Sequence, residues 1–147
     1  MTRQEKALQL FNSGYNCAQS VLLSFADIVT IDEKTAASIA SGFGGGMGRL
    51  QKTCGALTGS FMVIGLYNSQ YITDETERKS RINHLIQSLE QDFTARFGYS
   101  DCSMLTMVNL NTDLGQEQFE LADINSRVCE KSIVACISWL NKNLVQS

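Results

Sequence analysis

The chain contains 147 residues, of which 44% are hydrophobic and 18% are charged, and its formal net charge is −3. A mean hydropathy of −0.08 is typical of a globular chain with an ordinary polar surface. The length predicts a single domain, 1–147, that can fold without disulfide staples. Neither basic nor acidic residues form a block, so neither a nucleic-acid partner nor an anionic membrane surface is expected.

Apolar runs and cysteine use indicate the compartment. The longest nearly apolar run, from Gly55 to Tyr67, is too short to cross a bilayer, and residues 1–11 lack the apolar stretch of a signal peptide. We therefore expect a cytoplasmic protein without membrane insertion. In that compartment five cysteines indicate reduced thiols, metal ligands or redox chemistry rather than a secreted disulfide framework.

The absence of proline and of alternating β-branched runs predicts an all-α fold, a single compact bundle of five to seven helices. A capping box that opens at Thr2 predicts the first helix. Asn16 is expected to cap a second helix, which runs from Cys17 to Val29. A further capping box, which opens at Thr30, predicts a third helix that ends at a glycine-rich loop.

The glycine-rich turn precedes a helix that carries the next cysteine. Glycine readily adopts left-handed backbone angles, so 41–48 cannot continue a regular helix and can form a tight turn that approaches a ligand. Thr53 is expected to cap the next helix, so that Cys54 is its first residue. The unpaired N–H groups at this helix start are expected to lower the pKa of the Cys54 thiol. Close helix packing also explains such glycines. The candidate cofactor-binding residues are Gly44, Gly45, Gly46, Gly55 and Gly59.

The longest periodic run follows this helix. Its cap is expected at Thr73 or Asp74, and Gly98 is well placed to end it. The apolar residues of its single stripe are Ile82, Leu85, Ile86, Leu89, Phe93 and Phe97. This spacing predicts that one face of a long helix packs against the core.

The last third of the chain predicts two further helices. Asp101 is expected to cap a short helix that begins at Cys102. Within 109–125 we expect a loop with one or two helical turns. Ser126 is expected to cap the final helix and to place Cys129 in its first turn.

Four of the five cysteines therefore fall in the first turn of separate predicted helices: Cys17, Cys54, Cys102 and Cys129. Helix starts gather at the ends of an antiparallel bundle, so these thiols could meet where helix dipoles favour thiolates or an anionic thiolate–metal centre. No two cysteines have the Cys-x-x-Cys spacing, so any site must form in three dimensions. Cys136 has apolar neighbours and is expected in the core.

Several motifs occur in a fixed order along the chain. They are Gly-x-Asn-Cys-Ala at 14–18, a glycine-rich turn at 42–48, Cys-Gly-Ala-x-x-Gly at 54–59, Phe-Gly-x-x-x-Cys at 97–102, and a late cysteine at Cys129. Together they resemble the C_GCAxxG_C_C family of redox-active proteins over nearly the whole chain. The resemblance implies that the family's four characteristic cysteines are Cys17, Cys54, Cys102 and Cys129. It also implies an intracellular bacterial or archaeal protein, and it names no substrate.

Three functions fit these observations. In the first, Cys54 attacks a partner disulfide or an oxidant, and Cys17 or Cys102 resolves the mixed disulfide; the partner is a redox protein or a small thiol. In the second, the four cysteines bind a metal ion or an iron–sulfur cluster, with haem in the same cleft as a weaker variant. In the third, the cysteines are structural in a helical binding or assembly domain, where Gly55 and Gly59 allow close helix contacts, for example across a homodimer.

Overall fold

The computed structural model describes residues 1–144, so 145–147 of the predicted domain lie outside the described part. Within it the fold is all-α, and the β pairing is a single antiparallel bridge between Thr53 and Asp101. The eight α-helices are α1 (Arg3–Asn12), α2 (Cys17–Ser24), α3 (Glu33–Ala40), α4 (Gly55–Tyr71), α5 (Glu75–Phe97), α6 (Cys102–Thr106), α7 (Asp113–Leu121) and α8 (Lys131–Asn143). A 3₁₀ turn at Ser41–Phe43 follows α3, and a π-helical turn at Asn125–Glu130 precedes α8.

The all-α prediction is confirmed, whereas the predicted number of five to seven helices is wrong because the described residues form eight. The additional helix is α7, which was expected only as one or two turns. The Thr112 hydroxyl accepts a hydrogen bond from the Gly115 N–H at 2.9 Å. This cap stabilises the start of a nine-residue helix.

Helix α2 lies in the core and packs against α1, α3, α4 and α8. Its closest neighbour is α4, where Gly59 faces Ala18: a Cβ atom at Gly59 would lie 2.7 Å from the Ala18 carbonyl oxygen. Helix α5 adds its apolar stripe, of which Leu85, Leu89 and Phe93 are buried. Within 1–144 no helix combines the length and the apolar character that crossing a membrane requires.

Several predicted helix boundaries are confirmed. The Thr2 hydroxyl caps α1 and the Asp74 carboxylate caps α5. Each accepts a hydrogen bond from the backbone N–H of the residue three positions later in the chain. Gly98 ends α5 with a left-handed φ of 88°. Asp101 occupies the N-cap position of α6, although its side chain makes no capping hydrogen bond.

Other predicted boundaries are wrong. Helix α2 ends at Ser24 instead of continuing to Val29, and the chain then forms tight turns. Helix α3 is capped by Asp32, whose carboxylate accepts from the Thr35 N–H at 2.9 Å. Thr30 cannot serve as that cap because its φ of 52° lies in the left-handed region, outside the extended range of an N-cap.

The starts of α4 and α8 also differ from the prediction. Cys54 is the N-cap of α4 rather than its first residue, because the bridge holds Thr53 in extended backbone. Ser126 does not cap the last helix. It lies inside the π-helical turn that leads into α8, and that turn also contains Cys129. Cys129 therefore does not lie beside the unpaired N–H groups of a helix N-terminus.

We predict that Gly59→Ala lowers the free energy of unfolding by about 1–3 kcal/mol, because the new methyl group would force α4 away from the α2 backbone. Gly65→Ala is the matched control. Its Cβ would have no neighbour within 4 Å, so the substitution is expected to stabilise α4 by about 0.5–1 kcal/mol. Urea unfolding followed by circular dichroism measures both; equal effects would contradict the close contact.

Candidate thiol site

Four cysteines line one cavity of about 550 Å³: Cys17, Cys54, Cys102 and Cys129. The cavity lies among the starts of α2, α4 and α6, the glycine-rich loop that follows α3, helix α7 and the π-helical turn. All five cysteines are free thiols. The structure thus brings together four thiols that lie far apart in sequence.

A capping box positions Cys17 as the first residue of α2. The Asn16 side chain accepts from the Gln19 N–H at 2.8 Å, and the Gln19 side chain accepts from the Asn16 N–H at 2.9 Å. The Asn16 amide also donates to the carbonyl oxygens of Ala40 and Ser41, at 3.3 and 3.1 Å. The predicted cap is therefore confirmed, and it also ties the start of α2 to the entrance of the glycine-rich loop.

The antiparallel bridge positions the next two thiols. The Cys54 N–H donates to the Ser100 carbonyl at 2.9 Å, and the Cys102 N–H donates to the Lys52 carbonyl at 2.6 Å. These two bonds enclose a non-hydrogen-bonded pair of an antiparallel ladder, the closest pairing two strands can make. Cys54 and Cys102 are thus held on neighbouring segments at the edge of the cavity.

The loop between α3 and α4 contains a left-handed turn. Five consecutive residues, 45–49, have φ between 57° and 69°. Met47 and Arg49 are not glycines, so each is expected to cost about 1–2 kcal/mol in this conformation. Gly46 has a second requirement, because a Cβ there would lie 2.8 Å from the Cys102 Cβ. The loop therefore needs glycine both for its backbone and for contact with the thiol site.

The candidate cofactor-binding glycines divide into two groups. Four of them line the cavity: Gly44, Gly45, Gly46 and Gly55. Gly59 is not among the lining residues and is buried against Ala18 of α2. Gly55 also contacts α2, since its Cβ would lie 3.0 Å from the Cys17 Cβ. The structure thus assigns Gly59 to helix packing and places Gly55 at both the packing contact and the cavity.

Gln51 is a site residue that the sequence did not indicate. It is buried with a left-handed φ of 58°, its amide donates to the Val108 carbonyl at 2.7 Å, and its oxygen accepts from the Leu110 N–H at 2.9 Å. The Gln51 side chain also lowers the pKa of the Cys102 thiol. Gln51 lies in a short polar run that is typical of a surface loop, so no sequence pattern reveals its burial.

Burial controls the Cys54 thiol. Cys54 is only 8% exposed, and loss of water raises its pKa to about 12. The nearby backbone N–H groups of Ala56 and Leu57 lower the pKa, but by less than burial raises it. The expectation of an easily ionised thiol at Cys54 is therefore wrong, because burial raises its pKa by more than the N–H groups at the helix start lower it.

Cys17 and Cys129 form a hydrogen-bonded thiol pair. The bond is the largest influence on both residues: it raises the pKa of Cys17 well above its ordinary value and lowers the pKa of Cys129. Burial raises the pKa of Cys17 further and opposes the lowering at Cys129. Both residues are half-buried. The two directions make Cys129 the more acidic thiol of the pair.

The remaining thiols stay protonated near neutral pH. Burial raises the pKa of Cys102 to about 11, and the neighbouring Cys129 adds to the effect. The side chains of Gln51 and Thr106 lower the pKa of Cys102 and partly offset this rise. Cys136 is fully buried in the core, as predicted, and burial raises its pKa above its ordinary value.

The same four cysteines are the residues that could bind a metal ion or cluster. Across residues 1–144, no three His, Cys, Asp or Glu side chains are arranged to hold a metal ion. A four-thiolate centre would need the sulfurs to move toward a common point, since zinc–sulfur bonds are about 2.3 Å long. The metal hypothesis therefore stays a prediction.

Comparison with curated proteins and with solved structures finds no match to the chain. One family model matches residues 15–143 and is described as "Putative redox-active protein (C_GCAxxG_C_C)". The matched region contains the capped Cys17 at its start, the glycine-rich loop, the Cys54 helix and the π-helical Cys129. The chain belongs to the C_GCAxxG_C_C family of redox-active proteins.

Proposed function

We propose that this protein is a dithiol–disulfide redox protein in which Cys129 is the attacking thiol and Cys17 is the resolving thiol. The proposal is supported by the placement of both thiols in one cavity and by the pKa shift that each thiol causes in the other. Oxidation would join the two sulfurs in a bond of about 2.05 Å. The family's redox description agrees with this chemistry.

The reaction proceeds in two exchange steps. The Cys129 thiolate attacks one sulfur of a disulfide R–S–S–R′, the substrate S–S bond breaks, and R′–S⁻ leaves and takes up a proton. Cys17 then loses its proton and attacks the Cys129 sulfur of the mixed disulfide, which releases R–S⁻ and forms the Cys17–Cys129 bond. Two electrons thus pass from the protein to the substrate, the Cys17 proton passes to one leaving thiolate, and solvent protonates the other.

This assignment replaces Cys54 as the expected attacking residue. Its buried sulfur reaches the thiolate form only near pH 12, and ordinary exchange requires the thiolate. Cys54 and Cys102 also line the cavity that contains the reactive pair. We further propose a reducing compartment such as the cytoplasm, which would return the oxidised pair to the dithiol.

Mild oxidation with diamide is expected to remove two of the five free thiols reversibly and to produce a Cys17–Cys129 linked peptide in a digest. Cys17→Ser and Cys129→Ser should each abolish this linkage. Cys54→Ser and Cys102→Ser are the matched controls and should retain it. Mass spectrometry after alkylation measures all five proteins, and a linkage that includes Cys54 in the wild type would refute the assignment.

Alkylation of Cys129 is expected to reach half its maximal rate at a lower pH than alkylation of a free cysteine does. The sign follows from the hydrogen bond, since a lowered pKa gives thiolate at lower pH. Cys17→Ser keeps a donor and should leave this pH profile low, whereas Cys17→Ala removes the donor and should shift it upward. Iodoacetamide labelling, quantified by peptide mass, measures the pH profile of each variant. Identical profiles for the two variants would show that the hydrogen bond does not control the pKa of Cys129.

A further inference from the structure

We propose that the substrate of the Cys17–Cys129 pair is a low-molecular-mass disulfide that binds inside the cavity, which is too small to admit a disulfide together with the surrounding residues of a folded protein. This inference rests on the proposed function and names the substrate class of the same site. It follows from the size and lining of the cavity and from the way α7 is docked beside the thiols.

The cavity has the dimensions of a small-molecule site. Its volume of about 550 Å³ falls within the range of about 300–1,000 Å³ that is common for such sites. Around the thiols the lining is largely apolar and is supplied by Phe11, Leu105, Leu110, Phe119 and Val128. The charged lining residues are Arg49 and Glu120, which have opposite signs and are both exposed. Such a lining suits the organic substituents of a small disulfide better than a polar peptide segment.

Helix α7 forms a wall of the cavity. It contributes Gln116, Phe119 and Glu120 to the lining, while the thiols occupy segments on other elements. An attacking thiolate must reach the substrate sulfur in line with the disulfide bond. A disulfide of a folded protein would have to bring its neighbouring residues into a cavity of about 550 Å³, of which α7 forms one wall.

A close backbone contact docks α7. Gly115 is buried against the Asn109 carbonyl, and a Cβ at this position would overlap the carbonyl oxygen. The Gln116 amide donates to the Leu110 carbonyl at 3.0 Å. The rest of the helix is weakly packed, since Leu114 and Leu121 are 64% and 79% exposed. Asn109 and Leu110 belong to the loop that leads into α7, so a methyl group at Gly115 is expected to displace the start of α7 from that loop.

The test compares the rates at which 2-hydroxyethyl disulfide and insulin oxidise the Cys17–Cys129 pair of the full chain. Each rate is divided by the rate for N-acetylcysteine, which removes the intrinsic reactivity of the two disulfides. Acid quenching, alkylation and peptide mass give the readout. We expect the normalised rate for the small disulfide to exceed that for insulin by about tenfold or more.

Gly115→Ala should reduce this preference, because displacing the start of α7 removes part of the wall that limits the size of the cavity. Gly65→Ala introduces the same methyl group into α4 with no neighbour within 4 Å, so it should keep the wild-type preference. Phe119→Trp provides an independent variant that leaves α7 docked and fills part of the cavity. It should slow oxidation by 2-hydroxyethyl disulfide while circular dichroism remains unchanged.

The outcomes separate the two proposals. Equal normalised rates for the two disulfides would overturn the small-substrate inference and leave the redox pair intact. A preference that Gly115→Ala does not change would overturn the role of α7. Failure of both disulfides to oxidise Cys17 and Cys129 would instead contradict the proposed function.

Discussion

The thiol site depends on how closely α4 can approach α2. At the contact, Gly55 faces Cys17 and Gly59 faces Ala18, and in both places a side chain would meet the opposite backbone or Cβ at 3.0 Å or less. Packing at this distance sets the starts of the two helices side by side. Because Cys54 directly precedes α4 and Cys17 begins α2, the same contact that fills the core also fixes two of the four thiols.

Burial and partners, rather than helix position, decide which thiol is reactive. Cys54 and Cys17 both lie at a helix start, yet burial raises the pKa of each. Cys129 has no free helix start, but it is half-buried and accepts a hydrogen bond from Cys17. A helix start contributes about 0.3–1 kcal/mol at an exposed site, whereas a rise of the Cys54 pKa from 9.0 to about 12 corresponds to about 4 kcal/mol. Desolvation therefore outweighs the dipole.

Local signals predicted what local interactions determine. The caps at Asn16 and Asp74 and the stop at Gly98 depend on side chains within a few residues, and each was predicted correctly from the sequence. Gln51, by contrast, is buried through contacts with the segment at 106–110, far along the chain, so its neighbours in sequence give no indication of its role. The same reason explains Cys54, whose burial depends on the packing of other helices around α4.

A crystal structure of the protein after mild oxidation tests the central claim most directly. The account predicts continuous density between the Sγ atoms of Cys17 and Cys129, with Cys54 and Cys102 still present as free thiols. A disulfide that includes Cys54, or a single ion bound by all four cysteine sulfurs, would contradict it.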